Sequence, residues 1–318
     1  MRILITGGAG FIGSHVAEAV AAEYPRAEIV VFDKMTYAAD YENIAHLLVR
    51  GRRWLVVGDL CDFEKCMEIT VGVDVVMHLA AESHVDNSFG NSILFTRSNT
   101  LGTHTLLEAC RLNGVGRIIH VSTDEVFGET RDGSHTEADS LNPTNPYSAS
   151  KAAAEMVVNG YLYSFKLPII TVRANNMFGI RQFPEKIIPR FCMLAFLGRQ
   201  FTLHGTGQNL RYYLSAADFA RAMITILEKG AVGTIYNVAS EDEYSNLEVR
   251  DLIAEAFGID GEANTTFIQD RPFNDYRYSI VCDRLLALGW RQRLHLKDEI
   301  PAIAAWYRDN AQRYTHIF

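Results

Sequence analysis

Runs of apolar residues alternate with helical patterns through the first half of this chain. Arg2-Ile3-Leu4-Ile5-Thr6 is an apolar strand that runs into Gly7-Gly8-Ala9-Gly10-Phe11-Ile12-Gly13 and then into a helical pattern. Further strands are expected at residues 28–33, 54–59, 74–81, 116–122 and 168–173, each close to continuously apolar. Continuous apolar strands separated by helices predict a parallel sheet covered on both faces. The fold class is therefore α/β, a doubly wound parallel sheet. Ligands on such sheets bind beyond the carboxyl ends of the strands. The polar punctuation falls there: Gly7 after the first strand, Asp33 after the second, Asp59 after the third, residues 81–84 after the fourth, Thr123-Asp124-Glu125 after the fifth, and Asn175-Asn176 after the sixth.

Beyond Asn175 the pattern loosens, with Pro184, Pro189 and several glycines, before a strand and helix over residues 212–229. This predicts a dinucleotide-binding domain of residues 1–174 with part of 212–236. A smaller C-terminal substrate-binding lobe would take residues 175–211 and 237–318. No repeat, low-complexity tract or long linker separates them.

The glycine spacing lets backbone amides approach a pyrophosphate at a helix N-terminus, where the helix dipole also favours anionic oxygens. The strand-turn-helix context gives an otherwise weak motif its weight. Asp33 lies about twenty residues past the last glycine, placed to accept hydrogen bonds from an adenosine ribose. A carboxylate there would repel the extra phosphate of NADP, which favours NAD, although Lys34 beside it pulls the other way.

Tyr147 and Lys151 stand four apart on a helical pattern and so share a face. An ammonium near the phenol would favour phenolate, starting from a pKa near ~10, and would make Tyr147 a base. Such a pair occurs by chance on many surface helices. The glycine turn and the acidic pair at 124 and 125 are what raise it above chance, just as an acidic pair alone reads as an ordinary helix start. Lys186, Arg190, Arg211, Arg271 and Arg277 are candidates for a diphosphate, with Arg211 and Arg271 preferred for their Gly- or Pro-marked loops.

Composition narrows the class of partner. The chain of 318 residues is 48% hydrophobic with a net charge of -8, enough to fill a large core and contrary to a nucleic-acid or anionic-membrane partner. No apolar run approaches the ~18 residues of a membrane helix, so a cytoplasmic enzyme is expected. Five scattered cysteines, Cys61, Cys66, Cys110, Cys192 and Cys282, lack paired spacing and read as small buried hydrophobes. No metal site is expected.

Taken together, Gly7 to Gly13, Thr123-Asp124-Glu125, Tyr147 to Lys151, and Asn175-Asn176 with Gln182-x-Pro184-Glu185-Lys186 resemble the extended short-chain dehydrogenase/reductases. Within them the match is to the nucleotide-sugar 4,6-dehydratases, over essentially the whole chain. The glycine turn and Tyr-x-x-x-Lys mark the superfamily. Thr-Asp-Glu after the fifth strand marks the dehydratase branch. His84-Val85-Asp86-Asn87-Ser88-Phe89 and Arg271-Pro272-Phe273-Asn274-Asp275 resemble the UDP-glucose enzymes of rhamnose synthesis, whereas dTDP-glucose enzymes usually carry histidine at the place of Asn274. Phe127 stands where the family commonly has tyrosine. Met177-Phe178 and Ile180 replace the usual tyrosine and proline, and Thr202 replaces a proline near the expected base pocket.

The resemblance implies a Rossmann-type fold, NAD as cofactor, UDP-glucose or dTDP-glucose as substrate, and a homodimer. Tyr147, activated by Lys151, would take the proton of the sugar 4-hydroxyl, held by Thr123, while hydride passes to NAD. Glu125 would remove the carbon-5 proton and Asp124, if protonated, would give one to the departing 6-hydroxyl. It also implies a cofactor site of Gly7, Gly10, Phe11, Ile12, Gly13, Asp33, Lys34, Asp59, Leu60, Ala81, Ser83, Thr100, Ser122, Tyr147, Lys151 and Asn175. His84, Asn176, Lys186, His204, Arg211, Arg271 and Asn274 would hold the nucleotide sugar, with His84 open between substrate contact and packing histidine. Helices around residues 95–112 and 147–163 would form the dimer contact, although Leu106, Leu107, Ala152, Met156, Val157 and Tyr161 could equally be core. The nearer rival is a nucleotide-sugar 4-epimerase, the farther a non-catalytic NAD-binding regulatory protein.

Overall fold

The computed structural model describes residues 1–48, 52–270 and 273–318. Six strands, β1 (Arg2–Thr6), β2 (Glu28–Asp33), β3 (Arg53–Val57), β4 (Val75–His78), β5 (Arg117–Val121) and β6 (Ile169–Ala174), lie where the apolar runs predict them. Later strands are β7 (Asn176–Phe178), β8 (Phe201–His204), β9 (Leu210–Ser215), β10 (Ile235–Val238), β11 (Glu243–Ser245) and β12 (Thr265–Ile268). The main sheet has the order β10-β6-β5-β4-β1-β2-β3, and every pairing in it is parallel. Strand order reverses at β1, which pairs with β2 on one side and β4 on the other, and this reversal opens a crevice at the strand ends.

Side chains alternate across a strand, and the core divides accordingly. Ile3, Ile5, Ile29, Val31, Val75 and Met77 pack on one face with helix α1 (Phe11–Glu23) and with the helix Ala216–Lys229. Leu4, Val30, Phe32, Val76 and Ile118 pack on the other. That second face is covered by α2 (Phe63–Thr70), α3 (Gly102–Leu112) and α4 (Pro146–Phe165). Both faces are dry, which is why the strands read as unbroken apolar runs.

Helix α4 is well specified locally. Asn145 caps it by accepting from the Ser148 amide at 2.8 Å, Pro146 occupies the first turn, and Lys166 closes it in the left-handed region at φ 57°. Leu106, Leu107 and Tyr161 belong to the core, whereas Leu101, Leu112, Met156, Tyr163 and Phe165 are exposed.

A further hydrophobic cluster joins helices α5 (Ile187–Phe196), α7 (Asn246–Phe257) and α8 (Leu296–Asp309) to β8 through Phe191, Phe201, Ile253, Ile303 and Tyr307; α6 is the helix Ala216–Lys229 already placed on the main sheet. Strand β10 completes the main sheet, and Cys282, Leu285 and Trp290 pack into the sheet's core. The expected lobe boundary at residue 237 therefore does not separate the two cores, because the chain returns to the sheet near residue 282. Of the cysteines, Cys66, Cys110, Cys192 and Cys282 are buried free thiols and Cys61 is half-buried.

Candidate active site

A cavity of about 720 Å³ runs along the carboxyl ends of the strands, from the glycine turn to the segment after β12. At the glycine end Gly7 has φ 71°, and a Cβ there would come within 2.7 Å of the Ala80 backbone. At Gly13 a Cβ would sit 2.1 Å from the Gly7 carbonyl oxygen, so strand and helix touch through bare backbone. Gly7, Gly10, Phe11, Ile12 and Gly13 all line the cavity.

Asp33 accepts from the Ala9 amide at 3.0 Å and the Met35 amide at 2.9 Å, bracing the turn from beside it. Burial pushes its carboxyl up, and those amides oppose the shift. Lys34, the residue that pulled towards NADP, is ion-paired with Asp59 at 2.8 Å. Burial works to raise Asp59, but Lys34 and the Cys61 amide outweigh it and hold the carboxyl below its usual range. Leu60, Ala81, Ser83, Ser122 and Asn175 also line the wall. Thr100 does not. Its hydroxyl donates to the Ser150 carbonyl at 2.9 Å, tying its helix to α4, and Ser98 faces the cavity in its place.

Thr123-Asp124-Glu125 leaves β5 into a single 3-10 turn, Asp124–Phe127, capped by Thr123, whose hydroxyl accepts from the Glu125 amide at 3.3 Å. The acidic pair is thus both a helix start and part of the site. Thr123 and Glu125 line the cavity. Asp124 lies just behind, 2% exposed, with Thr123 Oγ1 3.2 Å from its Oδ1 and the Asn175 amide donating to Oδ2 at 2.7 Å. Burial, then the Glu125 charge, push Asp124 up to about 7. Burial also raises Glu125, with Lys186, Arg211 and the Asn145 amide opposing.

Tyr147 and Lys151 both line the cavity, as their spacing predicts. Lys151 Nζ donates to the Val121 carbonyl at 2.7 Å, and burial lowers it to about 8 with Glu155 opposing. Burial raises the Tyr147 phenol, and the Glu125 and Asp124 charges add to that, with only a Thr123 hydrogen bond acting against them. Sharing a helix face brings the pair to one cavity wall. The phenol is thus held above its ordinary value by burial and by its two acidic neighbours.

At the far end, Asn176, Lys186, His204, Arg211 and Asn274 line the wall. Lys186 donates to the Ser83 carbonyl at 2.9 Å; Arg211 donates to the Tyr276 and Asp275 carbonyls at 3.1 and 2.9 Å and lies over the Tyr278 ring. Asn274 donates to Asp270 at 2.9 Å, and His204 meets the Gln269 carbonyl at 3.2 Å. His84 sits between Asp86 and Glu185 at 3.6 and 3.7 Å, and burial lowers its pKa. It lines the cavity between those two carboxylates. Arg190 lines the wall, whereas Arg277 pairs with Glu243 and lies over Tyr212 instead. Arg271 lies outside the described residues.

Asn145, Glu185, Asp275 and Tyr278 complete the wall. Asn145 carried a signal as a polar cap two residues before Tyr147, between Pro143 and Pro146. Phe127, the departure from tyrosine, is buried with the His135 ring stacked at 5.0 Å and the Arg173 guanidinium 4.7 Å away, so its ring is held by stacking.

Glycine turn, doubly wound sheet and Tyr-Lys helix together define a short-chain dehydrogenase/reductase fold. The chain belongs to the family described as GDP-mannose 4,6 dehydratase, whose sequence model matches residues 4–301. It is 46% identical over 318 residues to a trifunctional UDP-glucose 4,6-dehydratase/UDP-4-keto-6-deoxy-D-glucose 3,5-epimerase/UDP-4-keto-L-rhamnose-reductase of Arabidopsis thaliana, covering 98% of this chain and 48% of that protein. The chain thus spans about half the length of those plant relatives. A dTDP-glucose 4,6-dehydratase of Streptomyces venezuelae, crystallised with NAD, superposes with a TM-score of 0.97 at 36% identity over 100% of both chains. A UDP-glucose 4-epimerase of Thermus thermophilus, also with NAD, gives 0.88 at 30% identity over 97% of this chain and 99% of that one.

Proposed function

We propose that this chain is an NAD-dependent nucleoside-diphosphate-glucose 4,6-dehydratase that converts UDP-glucose or dTDP-glucose to the 4-keto-6-deoxy sugar nucleotide and water. The observation that carries this reading is the acidic pair beside Tyr147: Glu125 opens on the cavity while Asp124, pushed up to about 7, can hold a proton behind it. Two neighbouring carboxyls with different environments are what separate acid and base roles require. The relatives support the same reading, since the plant protein and the Streptomyces venezuelae enzyme that this chain resembles are both glucose 4,6-dehydratases.

The glycine turn, Asp33 and the Asp59-paired Lys34 fit a dinucleotide whose ribose is unphosphorylated. When bound, NAD would supply the acceptor for hydride from sugar carbon 4, the donor to carbon 6, and in its oxidised form a positive charge favouring ionisation of Tyr147. Tyr147 then takes the 4-hydroxyl proton, with Thr123 orienting that hydroxyl. The resulting ketone acidifies carbon 5, whose proton passes to Glu125. Asp124 gives its proton towards the 6-oxygen, which leaves as water, and Thr123 Oγ1 lies between acid and cavity, able to accept and to donate. A proton returned to carbon 5 completes the product.

Lys186 and Arg211 are proposed to hold the diphosphate, with His204, Asn274 and Thr202 near the base. No helix among the described residues is long and apolar enough to cross a membrane. The exposed Leu101, Leu112, Met156, Tyr163 and Phe165 on and beside α3 and α4 support a homodimer through those helices, and a cytoplasmic site of action accompanies this reading.

Separate incubation with UDP-glucose, dTDP-glucose and GDP-mannose, with 4-keto product followed, tests the proposal. Uracil and thymine differ by one methyl, worth about 1–3 kcal/mol in a pocket, so both glucose nucleotides should turn over, UDP-glucose with the higher kcat/KM. Epimerised sugar without ketone would replace the dehydratase reading by the epimerase one.

A further inference from the structure

Two residues immediately ahead of the Tyr147 helix, Thr144 and Asn145, connect the far end of the cavity to its acid-base end. Residues 273–278 form part of the wall through Phe273, Asn274, Asp275 and Tyr278. Arg211 grips the carbonyls of Asp275 and Tyr276 and lies 4.8 Å over the Tyr278 ring. The Asp275 carboxylate is 3% exposed and anchored on two sides. Both its oxygens accept from Thr144 Oγ1 at 2.9 Å, and Oδ2 also accepts from the Tyr278 hydroxyl.

The residue after Thr144 is Asn145, whose side chain does two things. Its Oδ1 caps α4 through the Ser148 amide at 2.8 Å, and its Nδ2 donates to Glu125 Oε2 at 3.3 Å. Tyr147 follows two residues later. Thr144 and Asn145 stand between Pro143 and Pro146. Proline fixes its own φ and restricts the residue before it, so Pro146 holds Asn145 extended at φ -135° and ψ 164°, one peptide bond from Thr144.

We propose that Thr144 and Asn145 are positioning residues that couple the seating of residues 273–278 to the orientation of Glu125. The proposal rests on the dehydratase reading, in which Glu125 removes the carbon-5 proton. A nucleotide held by Arg211 against the 273–278 segment fixes Asp275, Asp275 fixes Thr144, and Asn145 then presents Glu125 towards the sugar. Binding energy from the non-reacting end of the substrate is thereby used at the reacting end.

The test compares the full-length, NAD-loaded wild type with Thr144→Val, which keeps the shape and loses the hydroxyl, and with Thr144→Ser, which keeps the hydroxyl. The measurements are steady-state kcat and KM, the absorbance of reduced cofactor during a single turnover, and UDP affinity by calorimetry. Misplacing a reacting group by an ångström can cost about 10²-fold. Thr144→Val is expected to lose about 10- to 10²-fold in kcat with KM and UDP affinity close to wild type. Reduced cofactor should accumulate, because oxidation at carbon 4 proceeds while carbon-5 proton removal lags. Thr144→Ser should restore turnover. Weaker UDP binding with unchanged kcat would assign the contact to binding alone and overturn the coupling. So would a parallel fall in kcat, UDP affinity and thermal midpoint that serine does not rescue. A wild type that forms no ketone removes the dehydratase reading and the coupling with it, whereas a normal wild type beside a normal Thr144→Val removes the coupling only.

Discussion

The two ends of the cavity are made in different ways. The glycine end is backbone: one strand, one turn and one helix within residues 2–23, where Gly13 leaves no room for a Cβ against the Gly7 carbonyl. The opposite end is assembled from side chains that reach it from residues 123–125, 145–151, 175–190, 202–213, 268 and 273–278. A contiguous backbone device leaves a spacing in the sequence. Convergent side chains leave only their identities, and their partners are set by packing. Substitutions at the two ends should therefore fail differently.

The largest expected effect is within the acid-base end. Tyr147→Phe should abolish oxidation, so that no reduced cofactor appears in a single turnover. Asp124→Asn should leave oxidation intact and slow water loss by about 10²- to 10⁴-fold, the usual worth of a general acid. Equal loss of the cofactor signal in both variants would give Asp124 a structural role. In the wild type, water loss should also decline as pH rises through about 7, where Asp124 gives up its proton.

Gly13→Ala should act on the opposite end. Overpacking of this kind costs about 1–3 kcal/mol, and here it must part strand from helix. The purified variant is expected to carry less NAD than the wild type while UDP affinity is retained, as acid release with chromatography and calorimetry would read. A Gly13→Ala protein with full NAD content would erase the contrast between the ends.

The smallest effect is on stability. Folding raises Asp124 from about 3.9 in the unfolded chain to about 7, so between those values the folded state holds the extra proton and stability falls as pH rises. Asp124→Asn removes that dependence. Thermal midpoints of variant and wild type at pH 5 and pH 8 should show the wild type losing ground at the higher pH; a pH-independent difference would contradict the raised carboxyl.

Much of this contrast was legible beforehand. Continuous apolar runs located β1 to β6 because both sheet faces are dry, and the strand-end rule put Gly7, Asp33, Asp59, Thr123 and Asn175 around one cavity. Helical spacing brought Tyr147 and Lys151 to the same wall, yet it could not show that Lys151 spends a hydrogen bond on the Val121 carbonyl. Arg277 and Thr100 illustrate the same limit: their residue types suit the roles that were expected, but Glu243 and the Ser150 carbonyl claim them. Asp275 was visible only as a neighbour of Asn274, since Thr144, its hydrogen-bond donor, is remote in the chain.

Asn175 is wired with a polarity. Its Nδ2 donates to Asp124 and its Oδ1 accepts from the Ser240 amide at 2.9 Å, joining the loop after β5 to the loop after β10. An amide carries a donor at one end and an acceptor at the other without titrating. Asn175→Asp loses the donor, Asn175→Leu loses both, and Asn175→Gln overshoots. A saturation scan of this gene would thus score position 175 as intolerant as a catalytic tyrosine, although Asn175 moves neither proton nor hydride, and intolerance at such a site would report a connector's polarity and not a chemical step.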